Sequence, residues 1–152
     1  MSRVISRSDL VALAILSGTA MFVTAFAALG LSGDGGGTWH LPRLIGARRA
    51  AEAYLRNRPI DAAEALEWGL INEIVPAAEL RGRAEAVARE LATGPTRGFA
   101  RMRALLRDSW RNDLSTQLQA ETEALRQTGD TADAARAIND FAAKRRTEFT
   151  GR

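Results

Sequence analysis

The sequence predicts an α/β chain that is mostly helical, with too little strand to build a sheet of its own. Three observations carry this. Residues 42–56, 77–91, 96–110, 114–127 and 132–145 place apolar side chains at helical spacing. Clear strand candidates are confined to 20–23 and 70–75, and two short strands do not make an independent sheet. Residues 10–33 carry no charged side chain, and so apolar a run needs cover on several sides.

The elements follow in chain order. Residues 1–9 are polar and unpatterned. Residues 10–16 (Leu-Val-Ala-Leu-Ala-Ile-Leu) fit a buried helix end or a strand, which periodicity alone does not separate, and Gly18 breaks the run. Ala20–Val23 reads as a short strand, and Thr24–Leu29 as a short helix or turn before Gly30. Pro42 to Arg56 reads as one helix with Leu44, Ala47, Ala51 and Leu55 on one side, ended by Asn57 and Pro59. Asp61 and Glu64 fit a capping box for a helix from Ala62 to Trp68, stopped by Gly69. Leu70–Val75 reads as a strand closed by Pro76. Ala77–Leu91 is a helix with Leu80, Ala84, Val87, Ala88 and Leu91 on its apolar side. Gly94-Pro95 separates it from Thr96–Trp110. Asp113 caps a helix to about Gln127 with Leu114, Leu118 and Leu125 inward. A turn at Gly129-Asp130 leads to a last helix, Ala132–Arg145, with Ala134, Ile138 and Phe141 inward. The tail is polar apart from Phe149.

At 152 residues the chain is expected to form a single domain, 1–152. The absence of cysteine excludes disulfides, thiolate catalysis and Cys-zinc sites, and fits a cytoplasmic protein. One histidine, His40, excludes a His-based metal cluster, so no metal is expected; His40 itself is either structural or part of a site. The net charge of +3 comes from 21 basic and 18 acidic residues, with Lys144 the sole lysine. These charges are interspersed, which argues against nucleic-acid binding and is compatible with a phosphate-bearing substrate. Residues 10–33 are long enough to span a bilayer, but the glycines, hydroxyl side chains and change of pattern at Met21 argue against membrane insertion. Asp9 and the lack of a cleavage pattern argue against a secretory signal.

Chemistry concentrates in residues 22–46. There an apolar run ends in Gly33-Asp34-Gly35-Gly36-Gly37, followed by a helix-like segment. Glycines permit close approach of backbone to a ligand, and an acid held among them is a candidate reacting group. Asp34 fits equally a helix cap. Gly35, Gly36 and Gly37 fit an acyl or thioester contact or a tight turn; they lack the ending of a P-loop. Phe26 and Trp39 fit the lining of an aromatic acyl pocket or core packing. Arg43 and Arg48 read as solvated helix charges.

Four segments carry a resemblance to a known family. They are Phe22–Gly46; Arg58-Pro59-Ile60-Asp61-Ala62-Ala63-Glu64-Ala65 through Trp68-Gly69-Leu70-Ile71; Leu91-Ala92-Thr93-Gly94-Pro95; and Phe141-Ala142-Ala143-Lys144-Arg145 with Phe149-Thr150-Gly151. In order and spacing the chain resembles the C-terminal half of the crotonase superfamily, the enoyl-CoA hydratases and isomerases. Within it the chain looks most like the phenylacetate-pathway enoyl-CoA isomerases, which shift a double bond or ring oxygen in ring-opened or epoxidised phenylacetyl-CoA. The resemblance implies a truncated crotonase-like (ClpP/crotonase) fold lacking most of the N-terminal β-sheet core. Residues 10–75 would be the remnant of that core with the glycine loop, and residues 76–152 a C-terminal helical oligomerisation region.

The same resemblance implies an acyl-CoA thioester as substrate, with coenzyme A as part of it and no separate cofactor. It places the catalytic aspartate at Asp34, acting as acid and base; in the related chlorobenzoyl-CoA dehalogenases the residue at this place is a nucleophile. It implies CoA contacts from Phe141, Lys144 and Arg145 to a neighbouring subunit, in a trimer or a dimer of trimers (hexamer). Departures accompany it. The two hydratase glutamates fall on Phe26 and near Ser6, so the two-carboxylate route to water addition is not expected. Of the two N–H donors for the thioester oxygen, one falls near Arg3 and the other in an earlier loop. Arg136-Ala137 stands where Glu-Gly is common. Three readings stay open: a truncated or split family member inactive alone; an isomerase active through a separate N-terminal-half chain or an unusual oligomer; and a non-catalytic scaffold or CoA-binding protein.

Overall fold

A computed structural model describes residues 13–152, and these fall into two compact units that divide between Ala84 and Glu85. In the first unit, strand β1 (Ile15–Ser17) runs parallel to β4 (Glu73–Val75), with Leu16 opposite Ile74. Strand β2 (Met21–Phe22) runs antiparallel to β3 (Ile60–Asp61), with Phe22 opposite Ile60. The apolar run is thus a strand at Ile15–Ser17; residues 10–12 lie outside the described residues. Periodicity did not reveal the strand because its partner lies far along the chain. Both ladders are two-stranded, the scant sheet the sequence led us to expect.

Between the ladders come a short 3-10 turn at Ala27–Leu29, closed by Gly30 in the left-handed region, and helices α1 (Gly37–Ile45), α2 (Ala47–Arg56) and α3 (Ala62–Glu67). The single helix expected over 42–56 is instead two, and it starts earlier. Gly46, at φ 82° and ψ 154°, breaks it in a conformation that side-chain-bearing residues rarely adopt. The break also shifts the buried face. Leu44 and Leu55 are 48% and 80% exposed, while Ile45, Ala50 and Ala53 are buried. Pro42 sits inside α1 and has no N–H to donate, which loosens the turn around it. There the Arg43 guanidinium donates to the Trp39 carbonyl at 2.8 Å, so Arg43 is tied to its own helix rather than freely solvated. Asn57, left-handed at φ 49°, ends α2. Asp61 caps α3 by accepting the Glu64 N–H at 2.8 Å. The reciprocal half of the capping box is replaced: the Glu64 carboxylate takes two bonds from Arg58, at 2.7 and 2.6 Å. Gly69 follows α3 at φ 75°.

The core of this unit is Ile45, Ala50, Ala53, Ile60, Ala65, Trp68 and Ile71, flanked by Leu16, Phe22, Leu41, Leu70 and Ile74. Much of it is alanine, which lets helices approach but removes little apolar area from water. Meanwhile Leu13, Met21, Val23, Leu29 and Leu31 stand exposed on the N-terminal segment. Helix α4 (Leu80–Ala92) carries the boundary between units, and Arg83 clamps Glu73 through two bonds of 2.8 and 2.9 Å. None of its residues is buried, so the expected apolar side of α4 is not a core face in this chain.

The second unit holds α5 (Thr96–Asp108), α6 (Leu114–Gly129) and α7 (Ala132–Ala142). Asp113 caps α6 as expected, accepting the Thr116 N–H at 2.7 Å. The side-chain faces differ from expectation. Leu114, Leu118 and Leu125 of α6 are 75%, 53% and 73% exposed, and Ile138 and Phe141 of α7 are 68% and 86% exposed. The buried positions are Ala124 and, unexpectedly, Asp133. Spacing identifies which apolar residues share a stripe, but not whether this chain alone covers it.

Candidate functional site

The glycine loop is built around Tyr54, a residue that sequence reasoning passed over as one more helix position. A Cβ on Gly33 would lie 2.9 Å from Tyr54 Cε1, and one on Gly37 would overlap the Tyr54 hydroxyl. Both positions therefore need glycine so that α2 can press its tyrosine onto the loop. Gly35 and Gly36 are glycine for a different reason. Their φ angles of 61° and 81° form the turn that leads into α1, with the Gly37 N–H donating to the Asp34 carbonyl at 3.0 Å. Phe26 stacks on Tyr54 from the other direction, with centroids 6.2 Å apart and planes 25° apart. Just before it, Ala25 holds φ 61°, a left-handed conformation that costs an L-residue roughly 1–2 kcal/mol.

Asp34 stands exposed at the tip of this loop. Burial and the Asp34 charge together hold the Tyr54 phenol above its ordinary pKa. Tyr54 is a neutral O–H donor at neutral pH, and the Asp34 charge adds to that preference. Tyr54 and Gly37 line a pocket of about 240 Å3 whose apolar wall comprises Phe22, Leu41, Leu44, Ile60 and Leu70.

Of the expected substrate-contacting residues, Gly37 lines this pocket. Gly35 and Gly36 form the turn, and Phe26 buttresses Tyr54. Trp39 is 40% exposed, meets the His40 ring edge-on at 4.7 Å, and carries the Arg43 guanidinium over its face at 4.0 Å. His40 lines the pocket, and so does Arg58. Arg58 is committed to structure: Glu64 first, then Glu52, raise its pKa, and Glu64 is held below the usual carboxylate range by the same contact. The signal for Tyr54 in the sequence was faint: an aromatic three residues beyond Ala51 in an otherwise alanine-rich helix.

Phe141, Lys144 and Arg145 lie in the second unit, where α7 ends. Lys144, at φ 53°, terminates the helix three residues short of the expected end. Phe141 is largely exposed to solvent, and Arg145 pairs with Asp140 at 2.9 Å. Nearby, Asp133 gathers the C-terminal tail. It accepts the N–H groups of Thr150, Gly151 and Arg152 and the Thr150 hydroxyl, at 2.7 to 3.3 Å. Arg136 adds a bond to the Glu148 carbonyl at 2.7 Å, so the Arg136-Ala137 departure has a definite structural use. Among the described residues no cluster of metal-binding side chains occurs, and no helix is long and apolar enough to cross a membrane.

Comparison with known proteins decides the family. The model of the enoyl-CoA hydratase/isomerase family matches residues 9–152. The chain belongs to that family. It is 40% identical over 138 residues to 1,2-epoxyphenylacetyl-CoA isomerase of Escherichia coli K12, covering 91% of this chain and 53% of that protein. It is 39% identical over 84 residues to 4-chlorobenzoyl coenzyme A dehalogenase-1 of an Arthrobacter species, covering 55% of this chain and 30% of the dehalogenase. The crystal structure of enoyl-CoA hydratase from Bacillus anthracis superposes with a TM-score of 0.87 at 30% identity, covering 93% of this chain and 55% of that one. The fold is therefore a truncated crotonase fold, and the chain spans about half the length of the relatives it matches.

Proposed function

We propose that this chain supplies the proton-transfer half of an acyl-CoA isomerase site, with Asp34 as the single acid and base. The supporting observation is the loop itself: an exposed carboxylate on a glycine turn, whose charge acts on Tyr54, while Tyr54 and Gly37 line an apolar pocket of which Asp34 is not itself a wall. In the proposed step, Asp34 takes a proton from a carbon conjugated to the thioester. The electron pair moves into an enolate on the thioester oxygen, and the same proton returns to a different carbon, so the double bond shifts with no net change in composition. Gly35 and Gly36 admit the thioester end, and Gly37 with the apolar wall receives the acyl end, beside Phe26 and Trp39. The positions of the hydratase glutamates are filled by Phe26, which has no proton to transfer, and by a residue near Ser6 that lies outside the described residues. So does Arg3, near which one N–H donor for the thioester oxygen is expected. Stabilising that oxygen is usually a large share of such a barrier. We therefore assign the remaining donor to a separate N-terminal-half chain or to the oligomer, a trimer or dimer of trimers. In that assembly Phe141, Lys144 and Arg145 reach the CoA moiety of a neighbouring subunit, the two cations pairing with its phosphates.

The test is exchange of the α or γ protons of an enoyl-CoA in D2O, followed by NMR for the chain and its Asp34→Asn variant. A loss of about 100-fold or more is expected in the variant, the scale of general acid-base catalysis. Equal exchange by both would remove Asp34 from the chemistry. The resemblance to the dehalogenase favours one second reading, attack by Asp34 on a halogen-bearing aryl carbon of an aroyl-CoA, with the carbon–halogen bond breaking and halide leaving; it predicts an ester adduct on Asp34 visible by mass.

A further inference from the structure

The pocket lining holds two polar groups without a role in the proton transfer, the Tyr54 hydroxyl and the His40 imidazole. We propose that the Tyr54 hydroxyl is the pocket's specificity donor, selecting acyl groups that carry an oxygen acceptor over all-hydrocarbon ones. This rests on the reading of the pocket as an acyl site. The polar side chains around the lining are otherwise mostly occupied. Thr24 donates its hydroxyl to the Ala53 carbonyl at 3.1 Å, and Arg58 is held by Glu52 and Glu64. His40 lies edge-on against Trp39, over Gly36. The Tyr54 hydroxyl has no hydrogen-bond partner among the described residues, and it lies against Gly37, itself part of the lining. It cannot swing freely. Gly33 and Gly37 lie against its ring and hydroxyl, and Phe26 stacks on the ring.

The raised phenol pKa keeps the group a donor throughout the neutral range. A hydrocarbon acyl chain entering the pocket strips water from this O–H and offers nothing in return, whereas a hydroxyl, ether or epoxide oxygen accepts its proton. A site built to hydrogen-bond discriminates strongly against ligands that leave its donor unpaired.

The experiment measures dissociation constants by calorimetry, on the whole chain, for phenylacetyl-CoA and its 2-, 3- and 4-hydroxy analogues. One or more hydroxy analogues should bind about 10-fold tighter than phenylacetyl-CoA, the value of one neutral hydrogen bond. In Tyr54→Phe that preference should vanish while phenylacetyl-CoA binds as before or better. Gly37→Ala, which displaces the hydroxyl without removing it, should abolish the preference by a separate route and decides the matter if Tyr54→Phe does not fold. A preference that survives both substitutions, or an absence of any preference in the unsubstituted chain with all four esters binding, overturns the role of Tyr54 and leaves the acyl site standing. Failure of all four to bind overturns both.

Discussion

Substituting Gly37 by alanine tests the Tyr54–loop contact quantitatively, because the structure fixes what the new methyl group meets. Gly37 opens α1 with an ordinary negative φ, so its backbone accepts alanine without strain. The cost is steric alone. The added Cβ overlaps the Tyr54 hydroxyl, while the next ring atom, Cζ, lies 3.5 Å away at ordinary contact distance. Overpacking of this kind costs about 1–3 kcal/mol. Removing the hydroxyl by Tyr54→Phe leaves only the 3.5 Å contact, and the helix preference for alanine then offsets the change by up to about 1 kcal/mol. The helix preference acts in both backgrounds, so Gly37→Ala should destabilise the chain by about 0–3 kcal/mol alone, and by about zero or less in the Tyr54→Phe background. The coupling energy in the cycle is about 1–3 kcal/mol, well above the few tenths expected for independent sites. Urea denaturation of the four proteins, with slopes compared to check that the unfolded state is unchanged, supplies the numbers. Additive effects would mean that the hydroxyl does not rest on Gly37, and both the cradle and the specificity argument built on it would fall.

Three further outcomes follow from the structure. Ala25→Gly should stabilise by about 0.5–1 kcal/mol, since relief of the left-handed penalty exceeds the extra entropy glycine brings to the unfolded chain; a destabilised variant in denaturant titration would show that Ala25 is not held at φ 61°. Asp61→Ala should cost about 1 kcal/mol in the same assay through loss of the cap on Glu64 N–H, with Asp61→Asn recovering most of it; equal losses in the two would rule the cap out. Asp133 should tie the tail in a pH-dependent way. Burial pushes its carboxyl up, but the bonds from Thr150, Gly151 and Arg152 prevail and hold it below its usual value. The tail's docking is then fully present above the ordinary carboxylate pKa and lost as pH falls through the lowered one. Amide exchange at Thr150–Arg152 should accelerate about tenfold or more in Asp133→Asn at neutral pH, and exchange that is unaltered there would exclude the anchor.

Local signals were legible wherever one residue decides one geometry. Asp61 and Asp113 cap the helices they were expected to cap, and Gly69 follows the helix it was expected to stop. What was not legible depends on partners distant in sequence. The strand at Ile15–Ser17 exists because Glu73–Val75 lies beside it. The helix over 42–56 breaks because Gly46 is used as a hinge between two packed helices, and nothing in the spacing of Leu44, Ala47, Ala51 and Leu55 reveals that. Tyr54 escaped notice for the same reason: only the fold brings it onto Gly33 and Gly37. Asp34, by contrast, is a candidate on a purely local pattern, a lone carboxylate among glycines after an apolar run.

The exposed apolar stripes bear on how the proposed chemistry is to be assembled. Leu114, Leu118 and Leu125 on one helix, and Ile138 and Phe141 on another, keep their regular spacing while standing in solvent. In the first unit, Met21, Val23, Leu29 and Leu31 flank the glycine loop in the same exposed condition. A soluble monomer rarely leaves contiguous apolar surface of this kind uncovered. The two sets make different demands. Cover over the helices of the second unit is what an oligomer supplies. Cover over the N-terminal segment of the first unit would fall on the chain that leads into the glycine loop, and under the proposed reaction it would also have to bring an oxyanion donor. A chain that assembles only through its helices would therefore keep an open site, able to bind a thioester but slow to enolise it. An added N-terminal half would close the apolar segment and complete the donor pair in one step. Turnover that appears only when such a half is added, with thioester binding present without it, would assign binding to this chain and enolisation to the completed site.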